Sequence, residues 1–176
     1  MKVALTFDAE HPDRPRCDPA VPGAVVDLLR RVIAAYPEAK RAVPDLRMVV
    51  VAGPRIDAAS LPRHDGLDVR AYVPELYRHL AACDLAVVQG GLTTTMELTA
   101  NRRPFLYFPL RHHFEQNFHV RHRLDRHRAG RCMDYETASP QSIARAIAEE
   151  VGRQVDYAEV RGDGAARAAA MIAELI

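Results

Sequence analysis

A repeated pairing limits the fold more than any other feature. Short apolar runs without alternation are each followed by a stretch with helical spacing. "RMVVVAG" (Arg47 to Gly53) and "LAVVQ" (Leu85 to Gln89) are such runs, and "PFLYFP" (Pro104 to Pro109) is a third, closed at both ends by proline. A strand with no polar face must be covered on both sides, which is the situation inside a parallel sheet. "KVALTF" (Lys2 to Phe7) reads as a first strand, "LDVRAYV" (Leu67 to Val73) as a less central one because it alternates, and "RCMDY" (Arg131 to Tyr135) as a small one. Between them fall helical segments at Gly23 to Tyr36, Pro74 to Cys83, Thr94 to Asn101, Glu115 to Gly130, Ser139 to Val151 and Gly164 to Ile176. In the first, Val25, Leu28, Leu29, Val32 and Ile33 share one face; the second has Pro at its first position; the fifth has Ser and Pro at its cap. Strands alternating with helices predict an α/β, Rossmann-like, doubly wound domain with a mainly parallel sheet. Right-handed crossovers then gather every strand-to-helix loop at the carboxyl edge, where ligands bind.

With 176 residues, the chain is expected to form one domain over 1–176, with an atypical first strand and loop (1–22) and a helical tail (152–176). Apolar residues at 48% and charged residues at 27% suit a soluble globular protein, and the net charge of +1 offers no global field for nucleic acid. The start "MKVALTFDAE" turns acidic too early for a signal peptide. Cys17, Cys83 and Cys132 have neither zinc nor disulfide spacing, so a reducing cytoplasm is expected.

Two of the carboxyl-edge loops carry chemistry. In "QGGLTTTME", Gly90 and Gly91 let a ligand approach, and the helix that follows offers unpaired N–H groups to a phosphate. Thr93, Thr94 and Thr95 add hydroxyls, and Glu97 lies about a turn further on, suited to a pair of sugar hydroxyls. Thr94-x-x-Glu97 is equally the spacing of a capping box, and from spacing alone the two readings stand level. "FPLRHHFEQN" (Phe108 to Asn117) follows the neighbouring strand and brings Arg111, His112, His113, Glu115, Gln116 and Asn117 to the same edge. A loop suited to phosphate beside a loop suited to a polyol points to a sugar diphosphate.

The stretches "VRAYVPELYRHLAACDLAVVQGGLTTTMEL" and "RRPFLYFPLRHHFEQN" resemble the C-terminal, donor-binding half of family 28 GT-B glycosyltransferases, with their MurG-like and UDP-glucuronosyltransferase-like branches. The likeness covers about Arg47 to Glu150. Its marks are an acid closing the preceding helix (Asp84), a strand, a glycine pair with threonine and then glutamate, a strand between prolines, and a loop ending in Gln-Asn. The resemblance implies that Gly90, Gly91, Thr93 and Thr94 face a donor diphosphate and that Glu97 holds the ribose hydroxyls. It further implies that Gln116, Asn117 and Glu115 contact the donor sugar, with His113 beside it, and that the backbone of Val73 meets the uracil ring. The donor would be a UDP-sugar, UDP-GlcNAc first, with no cofactor or metal required and a hexosyl group passed to an acceptor. Two departures stand out. Where members have a Gly/Ser-rich first loop, this chain reads "TFDAEHPDRPRC"; and it has no room for the acceptor-binding half, which is expected as a separate subunit, as a missing N-terminal domain or lost from a remnant. The alternatives are a non-catalytic nucleotide- or partner-binding module, and an epimerase or hydrolase of nucleotide sugars on the same fold.

Three further clusters have plainer readings. His119 and His122 lie at i, i+3, but the arginines around them oppose a metal ion. Arg121, Arg123, Arg126, Arg128 and Arg131 face Asp125 alone, which suits a solvated face, a partner domain or peripheral contact with anionic lipid. Nucleic acid is disfavoured because aromatics do not interleave with these arginines. Asp8, Glu10, His11 and Asp13 read as a surface loop, and no nucleophile elbow supports hydrolase chemistry.

Overall fold

The computed structural model describes residues 2–6, 21–53, 56–110 and 113–175. The strands are β1 (Lys2–Thr6), β2 (Arg47–Val51), β3 (Leu67–Arg70), β4 (Leu85–Gln89), β5 (Phe105–Phe108) and β6 (Arg131–Cys132). The helices are α1 (Val21–Ala42), α2 (Leu76–Ala82), α3 (Leu92–Ala100), α4 (Arg121–His127), α5 (Pro140–Glu150) and α6 (Gly164–Ala173). The strands form one sheet in the order β3-β2-β1-β4-β5-β6, and every described pairing is parallel. This is the doubly wound, Rossmann-like arrangement, in which strand order reverses between β1 and β4.

The apolar runs behave as sheet interior. Residues of β4 and β5 alternate between two cores: Leu85, Val87, Leu106 and Phe108 pack against α1 and α5, while Ala86, Val88, Phe105 and Tyr107 pack with Leu98, Val120 and Leu124. Each leucine, valine or phenylalanine among them contributes roughly 1.5–3 kcal/mol when fully buried. At the edge, β3 buries Leu67 and Val69 and exposes Asp68 and Arg70, so its alternation in sequence is the alternation of its faces.

Local chemistry moves several expected boundaries. Helix α1 runs past Tyr36 and through Pro37 to Ala42. The lost backbone bond is offset because Tyr36 and Ala39 are buried, with the Tyr36 hydroxyl bonded to the carbonyl oxygens of Leu46 (3.2 Å) and Asp65 (3.0 Å). Pro74 is not the first residue of α2: Glu75 takes a left-handed conformation (φ 49°), and the helix starts at Leu76. The strand from Leu67 ends at Arg70, the one from Arg131 at Cys132, and the last helix at Ala173. The expected helix from Glu115 opens as a π-helix (Glu115–Val120) before α4. It stops at left-handed Arg128, and Gly130 (φ +69°) follows, where a Cβ would come within 2.3 Å of the Phe105 ring. Helix α5 has the expected Ser139 cap, made reciprocal by Ser142. Cys83 is buried, with its thiol donating to the Leu80 carbonyl (3.1 Å), and Cys132 is exposed, while Cys17 and the loop with Asp8, Glu10, His11 and Asp13 lie outside the described residues.

Candidate functional site

The site is built where β4 leaves the sheet, beside the point at which strand order reverses. Gly90 is buried. Its N–H continues the ladder to the Phe108 carbonyl (3.2 Å), and a Cβ there would stand 3.2 Å from Pro109 Cα and 3.5 Å from Gln116 Oε1. The missing side chain therefore lets the two adjacent loops close together. Gly91 differs: it is the cap residue of α3, has an ordinary φ of −72°, and no described residue stands within 4 Å of where its Cβ would be. The helix start is thus capped by a residue with no side chain, and it is clear of the described residues.

This moves the helix start to Leu92, ahead of the expected Thr94, and removes the capping box. Thr94 is already inside the helix and cannot be its cap. The first backbone bond within the helix is from Thr95 N–H to the Gly91 carbonyl (3.2 Å). The N–H groups of Leu92, Thr93 and Thr94 precede it and have no carbonyl four residues back within the helix. The three threonines separate in role. Thr93 is exposed and Thr94 half-buried. Thr95 is fully buried and spends its hydroxyl on the Gly91 (2.7 Å) and Leu92 (3.1 Å) carbonyls, so it offers nothing to a ligand, against expectation.

Glu97 sits one turn beyond Thr93 at i+4, on the same helix face. Its carboxylate is half-buried and makes no hydrogen bond or ion pair among the described residues. Burial without a partner raises its pKa above the ordinary carboxylate range. An unpaired, partly desolvated carboxylate one turn from an uncapped helix start is a ready acceptor for hydroxyl groups.

The loop after β5 is held by the side chains expected to touch a sugar. Gln116 is 5% exposed, and its Oε1 accepts from the Leu110 N–H at 2.9 Å. Asn117 Nδ2 donates to the carbonyls of Leu110 and His113. Both amides thus act as staples of their own loop. Glu115 is exposed, whereas His113 is half-buried with its Nδ1 enclosed and unpartnered among the described residues. Arg111 and His112 lie outside the described residues. Val73 is buried in the loop between β3 and α2, at the same sheet edge. Its strand stands three positions from β4, roughly 14 Å at normal strand spacing.

The sequence reading missed an exposed aromatic pair. Phe114 and Phe118 are 65% and 61% exposed with ring centroids 4.7 Å apart, and His119 packs edge-on against Phe114. Two phenylalanines four apart were visible in the sequence, but helical spacing alone does not say which face they occupy. The basic stretch is partly neutralised: Arg131 pairs with Glu149 (2.6 Å), and Arg128 lies 3.6 Å from Asp156. No group of three or more metal-ligating side chains occurs among the described residues.

Comparison with known proteins agrees with this architecture. Residues 25–175 match the glycosyltransferase family 28 C-terminal domain. None of the curated proteins matches at the sequence level. Among solved structures, the chain is similar to MurG of Acinetobacter baumannii (TM-score 0.59, 13% identity, covering 86% of this chain and 42% of that one). It is also similar to the spinosyn rhamnosyltransferase SpnG complexed with thymidine diphosphate (TM-score 0.54, 24% identity, 86% and 35%). A third is the glycosyltransferase VinC in complex with DTDP (TM-score 0.57, 17% identity, 86% and 33%). The chain therefore spans between a third and a little over two fifths of the length of these structures.

Proposed function

Because this chain belongs to the glycosyltransferase family 28 C-terminal domain family, we propose that it is the donor-binding part of a glycosyltransferase, using a UDP-sugar with UDP-GlcNAc as the first candidate. The observation that carries the reading is the helix start at Gly91, clear of the described residues, with Glu97, unpaired among them, one turn inside. The N–H groups of Leu92, Thr93 and Thr94 and the Thr93 hydroxyl bind the diphosphate. As the bond between the sugar C1 and the phosphate oxygen breaks, the electron pair leaves with the diphosphate. The helix dipole and these donors stabilise that charge more than they stabilise the bound donor, which is what accelerates the step. The acceptor oxygen forms the new bond to C1, and its proton passes to a base outside the set named here. No metal or cofactor is called for.

Glu97 holds the two ribose hydroxyls, the Val73 backbone meets the base, and Glu115 and His113 lie nearest the sugar. Gln116 and Asn117 act by fixing the shape of the loop. The acceptor is held by another domain or subunit. Helix α6 suits contact with it: it buries none of its residues and, with the turn after it, exposes Met171, Ile172 and Leu175. The longer chains of the similar structures leave room for such a domain.

Calorimetric titration of UDP, UDP-GlcNAc, GDP and thymidine diphosphate tests this. The expected result is binding of UDP and UDP-GlcNAc ahead of GDP, abolished by Gly91→Asp, which puts a carboxylate at the diphosphate. Failure of every nucleotide to bind would refute the reading, and nucleotide binding without transfer once an acceptor domain is supplied would leave a binding module.

A further inference from the structure

The surface beyond the donor loop has a second pattern. From Phe114 the chain runs without a break through the π-helix into α4. Val120 and Leu124 are buried, at 1% and 0% exposure, and fix the inward face. The outward face is then the stripe Phe114, Phe118, His122 and Arg126 at steps of four, all exposed. His119 and Arg123 flank it on one side, Arg121 and Asp125 on the other. Arg123 and Arg126 make no ion pair among the described residues, so the stripe is apolar at its start and cationic at its end.

We propose that this stripe docks the domain on an anionic lipid surface, with Phe114 and Phe118 entering the interface and Arg123 and Arg126 meeting the headgroups. Three arguments select lipid. The outward area of two rings is on the order of 250 Å², far below the roughly 800 Å² per partner of a stable protein interface. Two adjacent rings on a convex helix face are a geometry that inserts shallowly into a headgroup layer. The unpaired arginines supply the complementary charge, and each cation near such a surface strengthens binding about five-fold. The expected basic region of 121–131 is thereby narrowed, since Arg128 and Arg131 lie against acids of their own chain. The proposal does not depend on sugar transfer: nucleotide titration and lipid binding can each fail alone.

Flotation of the chain with vesicles of phosphatidylcholine, with and without phosphatidylglycerol, reads it directly. Binding is expected only with phosphatidylglycerol and should fall as salt rises. Phe114→Ser with Phe118→Ser should abolish it. Arg123→Gln with Arg126→Gln should weaken it by roughly thirty-fold. Met171→Ser with Ile172→Ser, on the apolar face of α6, should leave it unchanged. All six positions are exposed, so melting temperatures should match the parent and report intact folding. Equal binding to uncharged vesicles, no binding at all, or binding that survives the phenylalanine changes would overturn the proposal. Loss of self-association in the phenylalanine variant, without vesicle binding by the parent, would assign the stripe to a second copy instead.

Discussion

Replacing Glu97 by Gln should move ligand binding and stability in different directions. The carboxylate has no partner among the described residues, and burial raises its pKa. A carboxylate whose folded-state pKa lies above its unfolded value costs the folded state free energy when ionised. That cost is present at neutral pH, is relieved as pH falls through the folded pKa, and is gone below the unfolded one. Gln carries no charge to desolvate, so Glu97→Gln should melt at the same temperature or higher at neutral pH. The difference between parent and variant should close on acidification. Binding should do the opposite. A carboxylate that accepts from both ribose hydroxyls makes two charge-assisted bonds of roughly 1.5–3 kcal/mol each, against roughly 0.5–1.5 for neutral ones. Losing the charge should therefore cost about 2–3 kcal/mol, or roughly 30–150-fold in the UDP dissociation constant. Thymidine diphosphate lacks the 2′-hydroxyl and makes only one of the bonds, so its loss should be about half as large on the free-energy scale. Calorimetry with both nucleotides and a melting curve across acidic pH provide the measurements. Unchanged UDP affinity together with a melting point several degrees lower would refute the argument and make Glu97 structural.

Three further outcomes can be measured by urea denaturation. Gly90→Ala forces a Cβ to within 3.2 Å of Pro109 Cα and should destabilise by about 1–3 kcal/mol, while Gly91→Ala, which meets no described residue, should cost far less. Gln116→Leu leaves the N–H of buried Leu110 without its acceptor and should cost about 1–3 kcal/mol. Glu115→Ala, on an exposed neighbour, should be close to silent in stability. Ser139→Ala removes the cap of α5 and should cost about 1 kcal/mol, with no change in nucleotide affinity.

The sheet was legible because strands covered on both faces have no polar side to hide. "RMVVVAG", "LAVVQ" and "PFLYFP" could be little else, and parallel pairing with flanking helices followed. Helix ends were less legible. Thr94 attracted the cap assignment because threonines favour caps, yet the chain used Gly91, whose cap has no side chain to recognise. The helix expected to end at Tyr36 continues through Pro37, where Tyr36 and Ala39 hold that turn through burial and the Tyr36 hydroxyl reaches carbonyls distant in sequence. In the candidate site, sequence correctly placed Gly90, Gly91, Thr93, Thr94, Glu97 and the Gln116 loop at one sheet edge. It could not show which polar side chains the fold itself consumes. Thr95, Gln116 and Asn117 satisfy nearby backbone groups, and a linear pattern gives no sign of the carbonyl or N–H waiting for them.

The position of β1 separates two kinds of boundary. The family match begins at residue 25, whereas the strand formed by Lys2–Thr6 lies in the middle of the sheet, in register with five residues of β2 and four of β4. A shortened chain that starts where the family likeness starts would cut the sheet into a β3-β2 pair and a β4-β5-β6 trio. Each would gain a raw apolar edge, prone to pair with other chains. The limits of recognisable ancestry are therefore not the limits of an autonomous folding unit, and trimming to the former should yield aggregate in place of a smaller binding domain.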